Sequence, residues 1–390
     1  MIAVALWREF RLSIAEIYAI FPTSKLLFAN KEIAIFDTLY PEDLKERFHT
    51  LWWSIKCINL RWIVKDKKWF LSSSISLIED IWDLSDTWKF CFAIASYWMD
   101  LDLFTLWIQL KKELNKTLNI KPRLVNKNSG NINAATYKKE WLWKGWIELN
   151  IIEADWNLYF WETIAFQDVD LYAARDMNKA RDMQIWMLPP KLAQIMVNLS
   201  WKSSEIYDPF CWLWTVLVES HISWKNKIYW SDLNPQMVEA SKTNTKNMPE
   251  VNVFRLDATE IEDVNFLKWN YSISIVSEWY LWSIMTKWHV TEEKILKERQ
   301  ELSRLYTGFF SWLKKLNFTW NIVISFPFWT FKGKYMYFEE IYKILDKTWF
   351  KAKKLLPNTC EFKETRSGSL LYHRPNQQVW REIFLLNLDS

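Results

Sequence analysis

The chain has 390 residues, a formal net charge of +4, 50% hydrophobic residues and 25% charged ones. That length allows two or three domains, and that balance belongs to a folded chain, not a disordered one. No apolar run reaches the roughly 18 residues a membrane span needs, and Asp100 and Asp102 interrupt the most apolar region.

Met1–Leu6 reads as a strand. Met1–Leu12 has no signal-peptide layout, so the cytoplasm is the expected compartment. A helix over Ser13–Phe21, strands over Lys25–Phe28 and Ile33–Phe36, and a helix over Pro41–Phe48 follow. Between Lys111 and Lys144, nine basic residues stand against only Glu113 and Glu140. Either a solvated helix face with its loop or a phosphate-contacting surface would account for them. Ile147–Ile152 and Leu158–Phe160 suggest a hairpin turning at Asp155-Trp156-Asn157. The pattern predicts an α+β region over residues 1–166.

Residues 167–190 read as a connector with two Arg-Asp pairs, Arg175-Asp176 and Arg181-Asp182. Pro189-Pro190 then open an amphipathic helix over Lys191–Leu199, because proline suits the first helical turn. Beyond it the rhythm becomes strand, turn, helix. Ile206-Tyr207 lead to Asp208, Lys227–Tyr229 to Asp232, Val251–Arg255 to Asp257, and Tyr271–Val276 to Ser277. These polar residues recur at intervals of about 20 to 25 residues, the length of one strand and one crossover helix. Residues 191–390 are therefore expected to form an α/β domain on a doubly wound parallel sheet. Asn321–Phe326 is its fifth strand, Tyr337–Thr348 a helix, and Leu370–Arg381 a hairpin. Arg374 and Arg381 could contact phosphates there, or the segment is a plain edge hairpin. Ligands of such sheets bind beyond the carboxyl ends of the strands, where the marked residues lie.

Tryptophan is out of proportion. The chain has 29 Trp and 5 Gly, where a typical chain of this length has roughly 27 Gly. Trp stands where turns want glycine: Asp86-Thr87-Trp88-Lys89, Asp155-Trp156-Asn157, Ser223-Trp224-Lys225 and Thr319-Trp320-Asn321. Trp349 follows a predicted helix at the position where left-handed glycine is commonest. UGA is read as Trp in one variant code and as Gly in another. A UGA-glycine gene translated with the UGA-Trp table yields this composition, and UGA codons are then expected at 212, 214, 230 and 349. Read literally instead, the tryptophans would be stacking platforms for single-stranded nucleic acid and would line one groove.

Cys57, Cys91, Cys211 and Cys360 show neither zinc spacing nor a disulfide framework, and the four histidines are dispersed. No metal is expected. At the end of the second strand of the α/β domain, Asp232 followed by Leu233 suits a bidentate grip on ribose hydroxyls. An acid placed to stabilise a helix N-terminus is the plainer account. Asp257, followed by Ala258, is either a ligand contact or a surface N-cap.

Asp208-Pro209-Phe210-Cys211-Trp212-Leu213-Trp214-Thr215, with glycine at 212 and 214, resembles motif I of S-adenosylmethionine-dependent amino-methyltransferases. The resemblance implies that this turn holds the methionine part of the cofactor and that Asp257 reads its adenine. The family's catalytic signature is Asp, Asn or Ser, two prolines and an aromatic. Ser277-Glu278-Trp279-Tyr280 keeps Ser277 and Tyr280 and lacks both prolines. Ser277 and the Glu278 carbonyl would orient the amine, and Tyr280 would stack on a flipped base. Glu278 as a proton acceptor is the alternative. With glycines restored, Leu51-Trp52-Trp53-Ser54-Ile55-Lys56 and Leu188-Pro189-Pro190-Lys191-Leu192-Ala193 resemble the tRNA guanosine-10 N2-methyltransferases. That family joins an RNA-binding THUMP domain to a Rossmann-like methyltransferase domain. The implied activity is methylation of an exocyclic amino group in RNA, most of all guanosine N2 in tRNA, with S-adenosylmethionine as cofactor. The alternatives are a DNA amino-methyltransferase acting on adenine N6 or cytosine N4, and an RNA-binding protein whose methyltransferase activity has decayed.

Overall fold

The structure is a computed structural model. It describes the chain except residues 38, 52–53, 61, 65–66, 82–88, 99–101, 127–130, 141, 143–146, 156, 169, 171–187, 211–214, 224, 261–263, 269–271, 279–290, 374–377 and 390. Contacts divide it into two units. The first comprises Met1–Ile14, Thr23–Met177 and Asn358–Glu361, and the second Ala15–Pro22, Asn178–Pro357 and Phe362–Ser390. Most of the expected connector, with both Arg-Asp pairs, lies outside the described residues.

The first unit is built on nine strands: β1 (Ile2–Leu6), β2 (Lys25–Ala29), β3 (Ile33–Asp37), β4 (Ser54–Asn59), β5 (Trp62–Val64), β6 (Lys89–Tyr97), β7 (Lys121–Leu124), β8 (Ile147–Ala154) and β9 (Asn157–Phe166). Their order is β2-β3-β1-β4-β9-β8-β6-β7, with β5 beside β9. Strand β6 runs parallel to β7 and β8, while β8 and β9 form the antiparallel hairpin read from the sequence, closed at Ala154↔Asn157. Asp155 turns it with φ 47°. All five residues of β1 are buried, as expected of a short apolar run covered on both faces.

The helices Lys67–Ile81 and Leu103–Leu118 share one core with β6, β8 and β9, in which Leu77, Leu110 and Leu114 meet Phe92, Ile94 and Leu149. Asp102 does not merely interrupt an apolar run. It is the N-cap of Leu103–Leu118, and its carboxylate accepts the Phe104 and Thr105 amides at 3.1 Å each. Inside the sheet, Lys56 Nζ meets Glu148 Oε1 at 2.5 Å with both side chains almost fully buried, and Thr163 donates to the other carboxylate oxygen at 2.6 Å. The lysine of the Leu51–Lys56 segment is thus part of a buried ion pair.

The second unit holds β10 (Glu205–Asp208), β11 (Lys227–Asp232), β12 (Val251–Arg255), β13 (Ile273–Glu278), β14 (Ile322–Phe331), β15 (Lys334–Tyr337), β16 (Phe350–Ala352), β17 (Leu370–Tyr372) and β18 (Val379–Leu388). The order is β12-β11-β10-β13-β14-β18-β16, with β15 on β14 and β17 on β18. From β12 to β14 every pair is parallel, and β18 lies antiparallel to β14. This is the doubly wound α/β architecture, with its switch point between β10 and β13. The first eight residues of β14 are all buried, as a central strand covered on both faces requires. The helix Glu292–Lys315 packs Leu302, Tyr306, Phe309 and Phe310 into the same core as Ile324 and Phe326 of β14.

The helix expected from Tyr337 starts instead at Glu340. Lys332 and Gly333 both have positive φ, 48° and 76°, the requirement of a tight hairpin turn. That turn folds Lys334–Tyr337 back onto β14 as β15. The same helix ends as expected: Trp349 is its C-cap in the left-handed region, φ 66° and ψ 21°, with its amide bonded to Asp346 O at 3.2 Å. Trp98 has φ 63°, and both indoles are 59% exposed. For so bulky a residue this backbone is a genuine outlier. Trp320 behaves differently. It has no positive φ and packs against the core. Trp230 is fully buried beside Leu217 and Ile228. Trp52, Trp53, Trp88, Trp156 and Trp224 lie outside the described residues.

Candidate functional site

The sheet brings the marked residues to one edge. Asp208 closes β10, Asp232 closes β11, Asp257 stands two residues beyond β12, and Ser277 and Glu278 close β13. The four strands run into this edge, and the last residues of β10, β11 and β13 are Asp208, Asp232 and Glu278.

At the switch point Asp208 is buried and accepts two hydrogen bonds on Oδ1. One comes from the Phe210 amide at 3.2 Å and the other from Ser277 Oγ at 2.5 Å. Pro209 is buried in the turn, and the Phe210 ring lies 5.1 Å from that of Phe309. Thr215 is buried at the start of the helix Thr215–Ile222. Cys211, Trp212, Leu213 and Trp214 lie outside the described residues.

Asp232 Oδ1 accepts the Asn234 amide at 2.8 Å, and Asn234 caps the helix Pro235–Asn244 by accepting the Gln236 amide at 2.9 Å. Burial pushes the Asp232 carboxyl up, and the Asn234 and Leu233 amides pull it back. Leu233 is exposed beside it. Asp257 Oδ1 accepts both the amide and the hydroxyl of Thr259, at 2.8 and 2.7 Å, and Ala258 between them is buried. Gly308 of the long helix comes so close here that a Cβ would stand 3.0 Å from Thr259 Cγ2. That contact explains a glycine in a helix interior.

Ser277 is fully buried. With its proton given to Asp208, its oxygen keeps lone pairs for accepting from an amine. Glu278 is largely buried and paired with Arg381, whose Nε donates to Glu278 Oε1. Burial pushes the Glu278 carboxyl up, and the guanidinium opposes that shift. Tyr306 lies close enough that the Glu278 charge adds to the burial raising its phenol. Tyr280 and Trp279 lie outside the described residues, as does Arg374.

Arg381 corrects the expectation that it reaches out to phosphates. It is 2% exposed, because β18 is an interior strand, paired with β14, β16 and β17. Its neighbour Glu382 is also fully buried and accepts the hydroxyls of Tyr342, Ser367 and Ser369. Two adjacent charges inside the apolar run Val379–Leu386 were the available signal: on a strand they face opposite ways, so each needs its own buried partner.

In the first unit, Lys111, Lys112, Lys116, Lys121, Arg123 and Lys139 are exposed on the helix Leu103–Leu118, on the edge strand β7 and after it. Arg123 pairs with Glu140 at 3.4 Å, and Lys138 with Asp168 and Asp170 at 3.0 and 2.6 Å. Lys127 and Lys144 lie outside the described residues. Among the described residues no group of three or more His, Cys, Asp or Glu is placed to hold a metal, and no helix is long and apolar enough to cross a membrane.

No family model matches the chain, and no curated protein does. Solved structures do. TrmN from Thermus thermophilus is similar at 12% identity over 100% of this chain and 99% of that one, with a TM-score of 0.49. A protein described as a predicted N6-adenine-specific DNA methylase from Listeria monocytogenes is similar at 11% identity over 97% and 95%, with a TM-score of 0.45. Both scores are below 0.5.

Proposed function

We propose that the protein is an S-adenosylmethionine-dependent methyltransferase acting on an exocyclic amino group in RNA, most of all guanosine N2 in tRNA. The observation that carries the reading is the gathering of Asp208, Asp232, Asp257 and Ser277-Glu278 at the carboxyl edge of one doubly wound sheet. When bound, the cofactor supplies a sulfonium methyl group for in-line attack by an amine nitrogen. Asp232 would accept the ribose hydroxyls, and Asp257 with Ala258 would meet the adenine. The turn from Asp208 through Pro209, Phe210, Cys211, Trp212 and Trp214 to Thr215 would hold the methionine part, with glycine in place of both tryptophans. Ser277, held as an acceptor by Asp208, and the Glu278 carbonyl would orient the amine, and Tyr280 would stack on the base. The chain's contribution is chiefly positioning.

RNA is favoured as substrate by the basic face on the helix Leu103–Leu118 and β7, which would contact phosphates. The first unit would then be the THUMP-like RNA-binding region. The left-handed backbone of Trp98 and Trp349 supports glycine as the residue encoded at those positions.

The test is transfer of labelled methyl from S-adenosylmethionine to tRNA transcripts by the chain carrying Trp212→Gly and Trp214→Gly, with DNA duplexes as the comparison. Transfer to neither nucleic acid would refute the reading. The missing prolines after Ser277 favour one second reading, a decayed enzyme that binds RNA. It predicts cofactor binding without transfer.

A further inference from the structure

A cavity of about 770 Å³ in the second unit shares no residue with the site at the ends of β10, β11 and β13. Small-molecule sites run from roughly 300 to 1,000 Å³. The helix Glu340–Thr348 lines the cavity with Tyr342 and Leu345, β16 with Phe350 and β18 with Phe384. The segment Thr365–Ser367 completes the lining.

A buried carboxylate holds these elements together. Glu382 of β18 is fully buried. Tyr342 donates to it at 2.9 Å from the helix, and Ser367 and Ser369 donate at 2.7 and 2.6 Å from the segment after Thr365. Burying a carboxylate is costly unless hydrogen bonds satisfy it, and here the donors are spent on fixing the lining of the cavity to β18. The segment is itself a closed turn: the Gly368 amide donates to Thr365 O at 3.0 Å, and the Thr365 amide to Ser369 O at 2.9 Å. Gly368 has φ +81°, and a Cβ on it would stand 3.0 Å from Ala352 Cβ. The turn therefore lies directly on β16 and takes glycine there.

This fixed turn presents Arg366. The side chain lines the cavity, is exposed, and makes no ion pair among the described residues. Of the two lysines in the lining, Lys351 is paired with Asp389. A guanidinium carried on a braced turn loses less freedom when it meets an anion.

The lining narrows the ligand. Tyr342, Phe350, Phe384 and Leu345 offer apolar and aromatic surface for a planar ring. Arg366 matches a phosphate. The exposed carboxylates of Glu339 and Asp346, also in the lining, accept from hydroxyl or amino groups. Ring, phosphate and hydroxyl donors in one molecule of this size describe a nucleotide.

We infer that this cavity is a second ligand site, for a nucleoside monophosphate that is free or ends an RNA strand, with Arg366 as its phosphate contact.

The test is calorimetric titration of the full chain with UMP and with uridine, neither of which carries the adenine of the proposed cofactor. UMP should bind about tenfold more tightly than uridine. Arg366→Ala, which alters an exposed side chain, should remove that difference and leave S-adenosylmethionine titration unchanged. Equal affinities in the unaltered chain would overturn the inference, as would no binding of UMP or a preference that survives Arg366→Ala. A 5′-phosphorylated tri-uridylate separates the two sources: binding at least as tight as that of UMP, and dependent on Arg366, assigns the site to an RNA end, and weaker binding assigns it to the free nucleotide. The readout is binding in a cavity outside the proposed methyl-transfer site, so its failure and the failure of the methyltransferase reading are distinct results.

Discussion

Ser277 Oγ donates to Asp208 Oδ1 at 2.5 Å and so ties the end of β13 to the end of β10 at the sheet's switch point. The bond joins a residue expected to face the substrate to one expected to shape the cofactor turn. It also fixes which way the serine proton points. Removing the hydroxyl should therefore act on chemistry and on stability together. Ser277→Ala should cost about 1.5–3 kcal/mol in unfolding free energy, the range for a hydrogen bond to a charged group. It should also lower methyl transfer by about 100-fold, as loss of a positioned polar group does. Cofactor affinity should change by less than about threefold. Denaturation and a single-turnover assay measure the two effects, and an unchanged rate would remove Ser277 from the amine site.

The left-handed tryptophans predict a difference between two replacements at one position. A non-glycine residue in that region is strained by about 1–2 kcal/mol. Trp349→Gly relieves the strain and Trp349→Ala does not, so the glycine variant should be the more stable by about 1 kcal/mol. Both variants lose the Lys314 ammonium stacked 3.7 Å from the Trp349 ring centroid, so that contact cancels in the comparison. Urea denaturation of the two variants decides it, and equal midpoints would argue against glycine as the native residue.

Glu298 makes stability depend on pH. Burial raises its carboxyl to about 7 in the fold, from 4.5. Between those values the folded state binds the proton and the unfolded state does not, so stability rises as pH falls from 7 toward 4.5. The gain is roughly 1–3 kcal/mol over that window. Glu298→Gln should stabilise the protein at pH 8 and change little at pH 4.5. Thermal melts across the range would show it, and a variant equally stabilised at both ends would place the effect elsewhere.

The Lys56–Glu148 pair in the first unit predicts an asymmetry. Lys56→Met leaves a buried carboxylate without its cation and should cost about 3–5 kcal/mol. Replacing both residues with Met removes the orphaned charge and should recover most of that loss. A double variant no better than the single one would show that the pair is not what stabilises this part of the sheet.

Much of the second unit was legible because β-branched, aliphatic and aromatic residues gather in short runs, with a polar residue at or within two positions of each strand end. Asp208, Asp232, Asp257 and Ser277 could be placed near strand ends from that pattern, and their spacing implies the parallel pairing that the strands show. What escaped depends on partners distant in the chain or on special backbone geometry. Arg381 looked like a surface residue because Glu278, its partner, lies over a hundred positions away. Tyr337 looked helical because the Lys332-Gly333 turn that returns it to β14 is a backbone event with no side-chain signature at Tyr337. Asp102 looked like a break in an apolar run because an N-cap and an interruption are the same residue until the helix behind it is known. Trp349 was legible for the opposite reason: a helix end dictates its own backbone.

The cofactor turn proposed after β10 requires glycine at 212 and 214. Calorimetric titration with S-adenosylmethionine tests it most directly, comparing the chain as written with the chain carrying Trp212→Gly and Trp214→Gly. The glycine chain should bind measurably, at least about tenfold tighter than the tryptophan chain, since side chains there would fill the space the backbone must yield to the ligand. Equal affinity in the two chains, or no binding by the glycine chain, would contradict it.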